Sequence, residues 1–86
     1  MSKDNVIEYP LATEKSIKLM ESENKLIFVV TRTANKQQIK QSIEEEFDVK
    51  ITDVKTLMDT KGRKKAYVKF SMETPAIDIA TKLGLM

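Results

Sequence analysis

The run Thr60-Lys61-Gly62-Arg63-Lys64-Lys65-Ala66-Tyr67-Val68-Lys69-Phe70-Ser71 decides how the rest of the chain must fold. From Lys64 onward its side chains alternate without a break. Ala66, Val68 and Phe70 fall on one face, and Lys65, Tyr67 and Lys69 on the other. That period of two marks a strand with one buried face and one polar face. The four residues before it, Thr60-Lys61-Gly62-Arg63, have the composition of a hairpin turn. The strand is therefore antiparallel to whatever precedes the turn.

Residues 49–59 supply that partner. Their apolar positions change parity between Ile51 and Val54, which predicts a bulge near Thr52-Asp53. Further upstream, Asn35 is placed to cap a helix, with Gln38 three residues on as its capping-box partner. Ile39, Ile43 and Phe47 give that helix an inward stripe. Residues 25–33 read as a strand with Leu26, Phe28 and Val30 on one face and Ile27 and Val29 on the other. Apolar residues on both faces predict cover on two sides. Before it, Thr13 caps a helix running to about Ser22, with Ile17, Met20 and Leu19 turned inward. A short strand over residues 6–9 ends at Pro10, which cannot donate to a ladder. After Ser71, Thr74-Pro75 opens a last helix with Pro at its first position, carrying Ile77, Ala80 and Leu83 and ended by Gly84.

The strands on either side of the second helix run parallel, joined by a right-handed crossover. The hairpin strand can then slot between them, antiparallel to both, in the split-βαβ manner. The expected fold is a single α+β domain over residues 1–86. It has a mostly antiparallel sheet of three to four strands in ferredoxin-like order, with helices packed on it. The Tyr67 face of the hairpin strand is then held at the centre of a rigid sheet.

Composition narrows the function. At 86 residues and 41% hydrophobic content the chain suffices for one core. It has no cysteine and no histidine, which excludes disulfides and Cys/His metal sites and suits a reducing cytoplasm. No apolar run approaches the roughly 18 residues needed to span a bilayer. The opening Met1-Ser2-Lys3-Asp4 lacks a signal-peptide core. A soluble, cytoplasmic protein is expected. The net charge of +2 says little, but its distribution says more. Residues 50–69 hold seven cations (Lys50, Lys55, Lys61, Arg63, Lys64, Lys65, Lys69) against two acids, whereas residues 44–48 hold four acids and no cation. One basic and one acidic region imply two different surroundings.

Catalysis has little to stand on. Glu44-Glu45-Glu46 fan around a helix and do not converge as an acid–base pair must, so a solvated helix end is expected. Ser16, Ser42 and Ser71 have no histidine partner, and Gly62 and Gly84 are the only glycines, so no phosphate-cradling loop exists. No catalytic residue, metal or cofactor is expected. The basic hairpin offers different chemistry. Lys61, Arg63, Lys64 and Lys65 crowd a turn, and Tyr67 and Lys69 continue on one strand face. Such a cluster suits phosphates, and Tyr67 suits stacking on a base or packing along ribose. The same strand partly imitates an RNA-recognition motif, but Lys64 stands where that motif wants glycine and Lys65 where it wants a stacking aromatic.

Four runs together carry a closer likeness: Pro10-Leu11-Ala12-Thr13-Glu14-Lys15, Ala34-Asn35-Lys36-Gln37-Gln38-Ile39-Lys40, Val54-Lys55-Thr56-Leu57, and Gly62 through Phe70. In this order and spacing they closely resemble the L-twenty-three family of large-subunit ribosomal proteins, over roughly residues 7–71. The resemblance implies a non-enzymatic structural protein of the cytoplasmic ribosome, monomeric there and not inserted in a membrane. Its implied partners are large-subunit ribosomal RNA at the rim of the polypeptide exit tunnel, neighbouring large-subunit proteins, and the signal recognition particle and translocon. Carried over by position, the RNA side includes Thr13, Lys15, Lys36, Lys40, Lys55, Thr56, Arg63, Lys64, Lys65, Tyr67 and Lys69. The factor-facing side includes Glu14. The chain departs from the family at Lys55, where asparagine is common, and at Phe70, where leucine is common. The turn over residues 59–63 is too short for the long basic loop of bacterial members, and no long basic extension precedes Pro10, which looks like the archaeal form.

Overall fold

Every strand pair in the sheet is antiparallel, and the order across it is β1-β2-β4-β3. The computed structural model describes residues 6–84, so the opening residues 1–4 lie outside the described residues. Along the chain the elements are β1 (Ile7–Pro10), α1 (Glu14–Glu23), β2 (Lys25–Val30), α2 (Lys36–Phe47), β3 (Ile51–Met58), β4 (Lys64–Phe70) and α3 (Ala76–Lys82). β4 lies between β2 and β3 and is antiparallel to both, so the strands flanking α2 are parallel to each other. This is the split-βαβ arrangement, with β1 added outside β2.

One apolar cluster holds the fold together. The sheet gives it Leu26, Phe28, Val30, Val54, Ala66, Val68 and Phe70, and the helices give it Met20, Ile39, Ile43, Ala76, Ile79 and Ala80. All three helices therefore cover the same face of the sheet. Both long helices begin in reciprocal caps. Thr13 accepts from the Ser16 backbone while Ser16 accepts from that of Thr13, and Asn35 and Gln38 do the same for α2. Both end in a left-handed residue that is not glycine, Asn24 (φ 57°) and Asp48 (φ 55°).

The structure moves several expected boundaries. β2 stops at Val30 instead of running to Thr33, because Thr31 donates to Val6 and its carbonyl accepts from Ala34 in a turn. β3 starts at Ile51 because the Val49 N–H is still bonded to Glu44 of α2. Glu44 is more than a solvated charge, since its side chain accepts from the Ile51 N–H at 3.1 Å and joins the end of α2 to β3. The bulge falls where the parity change put it, between Ile51 and Asp53, with the Thr52 hydroxyl donating to the Lys69 carbonyl. α3 begins one residue later than the proline suggested. Pro75 is its N-cap, and the stripe turned inward is Ala76, Ile79 and Ala80, leaving Ile77 46% exposed. The cause is Asn24, whose Oδ1 accepts the Ala76 N–H at 2.6 Å and sets the phase of the helix. Phe47 is half-buried at the edge of the cluster rather than within it.

Candidate nucleic-acid interface

Strand parity sorts the cationic residues onto two sides of the sheet. Ala66, Val68 and Phe70 point into the helical layer, so Arg63, Lys65, Tyr67 and Lys69 stand on the opposite face. The neighbouring strands extend that face in rows. Lys65 lies between Val29 and Leu57, with Tyr9 beyond Val29. Tyr67 lies between Ile27 and Lys55, and Lys69 between Lys25 and Asp53. Among the described residues, no helix contributes to this side.

Ile27 and Val29 are nevertheless only 3% and 2% exposed, and they stand outside the main cluster. The sequence predicted cover on both sides of β2. On this side the neighbours across the ladder are Tyr9 and Lys65 beside Val29, and Tyr67 beside Ile27. The accessible groups of this face are therefore its cations and two tyrosines, chemistry that suits both the phosphates and the bases or sugars of a nucleic acid.

The turn at the end of this face is organised by Asp59. Its Oδ1 accepts the backbone N–H groups of Lys61 (2.9 Å) and Arg63 (2.8 Å), and its Oδ2 accepts Arg63 Nε at 3.0 Å. The Gly62 N–H closes the turn on the Asp59 carbonyl, and Gly62 sits at φ +80°, the left-handed position that a three-residue hairpin loop requires. Arg63 then reaches across the sheet, its Nη1 donating to the Tyr9 hydroxyl at 3.1 Å. The Arg63 backbone N–H, above all, holds the Asp59 carboxyl below the usual carboxylate range, against the opposing effect of burial. A group shifted in this direction stabilises above its unfolded pKa and stops doing so as pH falls through its lower, folded one. The hairpin should therefore keep its amide chemical shifts from neutral pH down to about 4, the ordinary Asp range. It should lose them below that, whereas Asp59→Asn should abolish this titration.

The residues expected to touch RNA do not all converge. Lys55, Lys65, Tyr67 and Lys69 share the open face, with Arg63 at its end. Lys64 is on the helical side, where its Nζ donates to the Ala34 carbonyl just before α2. That bond brings the start of α2, with exposed Lys36 and Lys40, to the hairpin end of the molecule. Thr56 is paired with Ala66 on the helical side and is half-buried. Thr13 is committed to the cap of α1, with Glu14 and Lys15 exposed in the first turn, next after the edge strand β1. Sequence reasoning passed over Asp59 as a member of this surface, and it read Tyr9 only as the aromatic of the run ending at Lys15. The aspartate three residues before Gly62 was a readable turn signal. For Tyr9 the residue type was readable, but its place opposite Val29 was not.

The residues that build this surface also tie the chain to a known group. The fold and this face define a small α+β protein with an antiparallel sheet, helices on one side and a cationic, aromatic surface on the other. More particularly, the family model for ribosomal protein L23 matches residues 5–80, and the chain belongs to that family. It is 43% identical over 81 residues to the large ribosomal subunit protein uL23 of Methanococcus aeolicus, across 94% of each chain. It is 46% identical over 86 residues to the protein of the same name from Caldivirga maquilingensis, across the whole of both. Both relatives are archaeal, in line with the short turn after Asp59. The protein is a structural ribosomal component of the cytoplasm and not an enzyme.

Proposed function

We propose that this protein is built into the large ribosomal subunit at the rim of the polypeptide exit tunnel, alongside neighbouring large-subunit proteins. There it binds large-subunit ribosomal RNA through the open sheet face and the hairpin end. The observation that carries this reading is the gathering of Lys55, Lys65, Tyr67 and Lys69 on one sheet face, against which no helix packs among the described residues. Lys65 and Lys69 act on phosphates, Tyr67 on an unpaired base or ribose, and Lys36, Lys40 and Lys15 extend the cationic surface. Lys64 acts chiefly within the fold, through Ala34. Thr13 and Thr56 are the least available of the carried-over residues, since one caps a helix and the other faces the helical layer.

Replacing both Lys65 and Lys69 by alanine is expected to lower the salt slope of binding to large-subunit RNA by about 1 to 2 units. Each lost phosphate contact removes about 0.7–0.9. An unchanged slope would move the interface off this face.

The same reading gives the opposite side of the molecule to factors that meet the nascent chain, the signal recognition particle and the translocon. Glu14, exposed in the first turn of α1, is favoured there by the helix dipole in any case. As an exposed acid it also suits a cationic docking partner. Subunits carrying Glu14→Ala should assemble normally and bind these factors more weakly; undiminished factor binding removes Glu14 from the docking surface.

A further inference from the structure

Arg63 differs from every lysine on the open face in being held at both ends of its guanidinium. Its Nε donates to Asp59 Oδ2 at 3.0 Å, and its Nη1 donates to the Tyr9 hydroxyl at 3.1 Å. Asp59 is itself fixed, because its other oxygen takes two backbone N–H groups of the turn. The backbone of Tyr9 is set by the pairing of β1 with β2 opposite Val29. The side chain of Arg63 still keeps 39% of its surface exposed. An arginine has five N–H donors in a planar fork. Two are occupied here, and among the described residues nothing else accepts from the other three.

We propose that Tyr9 and Asp59 are positioning residues that hold Arg63 as a preorganised fork for one phosphate of the bound RNA. This inference rests on the reading of the open face as the RNA interface. The physical case is that a free arginine loses rotamer freedom when it engages a phosphate, whereas this one has lost it already. Its Nη2 keeps both N–H donors, and these are what a phosphate oxygen can take as a charge-assisted contact. The fork stands at the end of the row that holds Lys65 and Lys69, so the RNA backbone meets one oriented contact followed by point charges. Asp59 also lies 3.8 Å from Lys65 Nζ, so the same carboxylate orients both cations at the mouth of the hairpin.

Charge and positioning make opposite predictions for Asp59, and that separates them. Asp59→Asn removes a negative charge beside two cations, so an interface governed by charge alone binds RNA more tightly. The asparagine oxygen can still take the turn's backbone N–H groups and keep the hairpin. Its NH2 group then faces Arg63 Nε, donor against donor, and frees the guanidinium. Tyr9→Phe removes the other hold with no change of charge. The experiment is filter binding of the full chain to deproteinised large-subunit ribosomal RNA over a series of salt concentrations, with thermal melting to establish that each variant is folded. Asp59→Asn and Tyr9→Phe are each expected to weaken binding roughly three- to tenfold, with Tyr9→Phe leaving the salt slope unchanged. Tighter binding by Asp59→Asn together with unaltered binding by Tyr9→Phe overturns the proposal and leaves Arg63 as one more charge. The Lys65→Ala/Lys69→Ala variant is run beside them. If its salt slope falls while the two positioning variants bind normally, only the proposed fork is wrong. If its slope does not move, the open face is not the interface and the fork falls with it.

Discussion

Asn24→Ala should destabilise the domain by about 3 kcal/mol, although Asn24 is polar and sits between two elements rather than in the core. Its side-chain Nδ2 lies 3.1 Å from each of the carbonyls of Phe70, Ser71 and Thr74, which share its two N–H donors, and its Oδ1 accepts the first N–H of α3. Its own carbonyl accepts from Phe70. One side chain thus joins the end of α1, the end of β4 and the start of α3. Truncation leaves several half-buried backbone groups without partners, at about 1–3 kcal/mol for each that water cannot reach. It also forces alanine into a left-handed conformation at a further cost of about 1–2 kcal/mol. Asn24→Gly should recover the backbone part and none of the rest. Chemical denaturation of the three proteins checks this order. A loss below about 1 kcal/mol for Asn24→Ala would mean that the junction is held by the apolar contacts around it.

Phe70→Ala should cost about 3–5 kcal/mol, a large share of the 5–15 kcal/mol that holds a typical domain together. The ring is 1% exposed, lies opposite Ile51 across the sheet, and belongs to the cluster that receives all three helices. Phe47→Ala removes the same ring from a half-buried site at the end of α2, where water already covers part of it. About 1–2 kcal/mol is expected there, because only the buried portion of the ring contributes. The sequence stripe of Ile39, Ile43 and Phe47 made the three look equivalent. The left-handed turn at Asp48 follows directly and leaves Phe47 at the rim. Equal losses for the two phenylalanines in urea titrations would mean that Phe47 is packed more deeply than this geometry has it.

Features set by neighbouring residues could be read from the sequence. Asn35 and Gln38 announced the start of α2, Gly62 the hairpin, and the parity change after Ile51 the bulge. The same alternation placed Lys65, Tyr67 and Lys69 on one face. It also placed Lys64 on the other, although the crowd of cations invited reading them as one ridge. What stayed hidden depends on partners far along the chain. Asn24 looks like an ordinary helix terminator until β4 and α3 arrive 46 to 52 residues later. The phase of α3 then follows from that contact, which the proline at position 75 could not foretell. Tyr9 joins the open face because a register shift in β1 puts it opposite Val29, and it meets Arg63 from 54 residues away. Local chemistry therefore wrote the elements and the polarity of the face, while the junctions that orient its side chains came from tertiary packing.

The central claim is that large-subunit RNA is met chiefly by the open sheet face, with the hairpin end beside it. Lysine acetylation of the free protein and of the same protein within intact large subunits, read residue by residue by mass spectrometry, tests it most directly. Lys55, Lys65 and Lys69 should react several-fold more slowly in the subunit than in the free protein, because a phosphate-bound ammonium is shielded from the reagent. Reaction of all three at the same rate in the subunit as in the free chain would contradict the account and place the RNA elsewhere on the molecule.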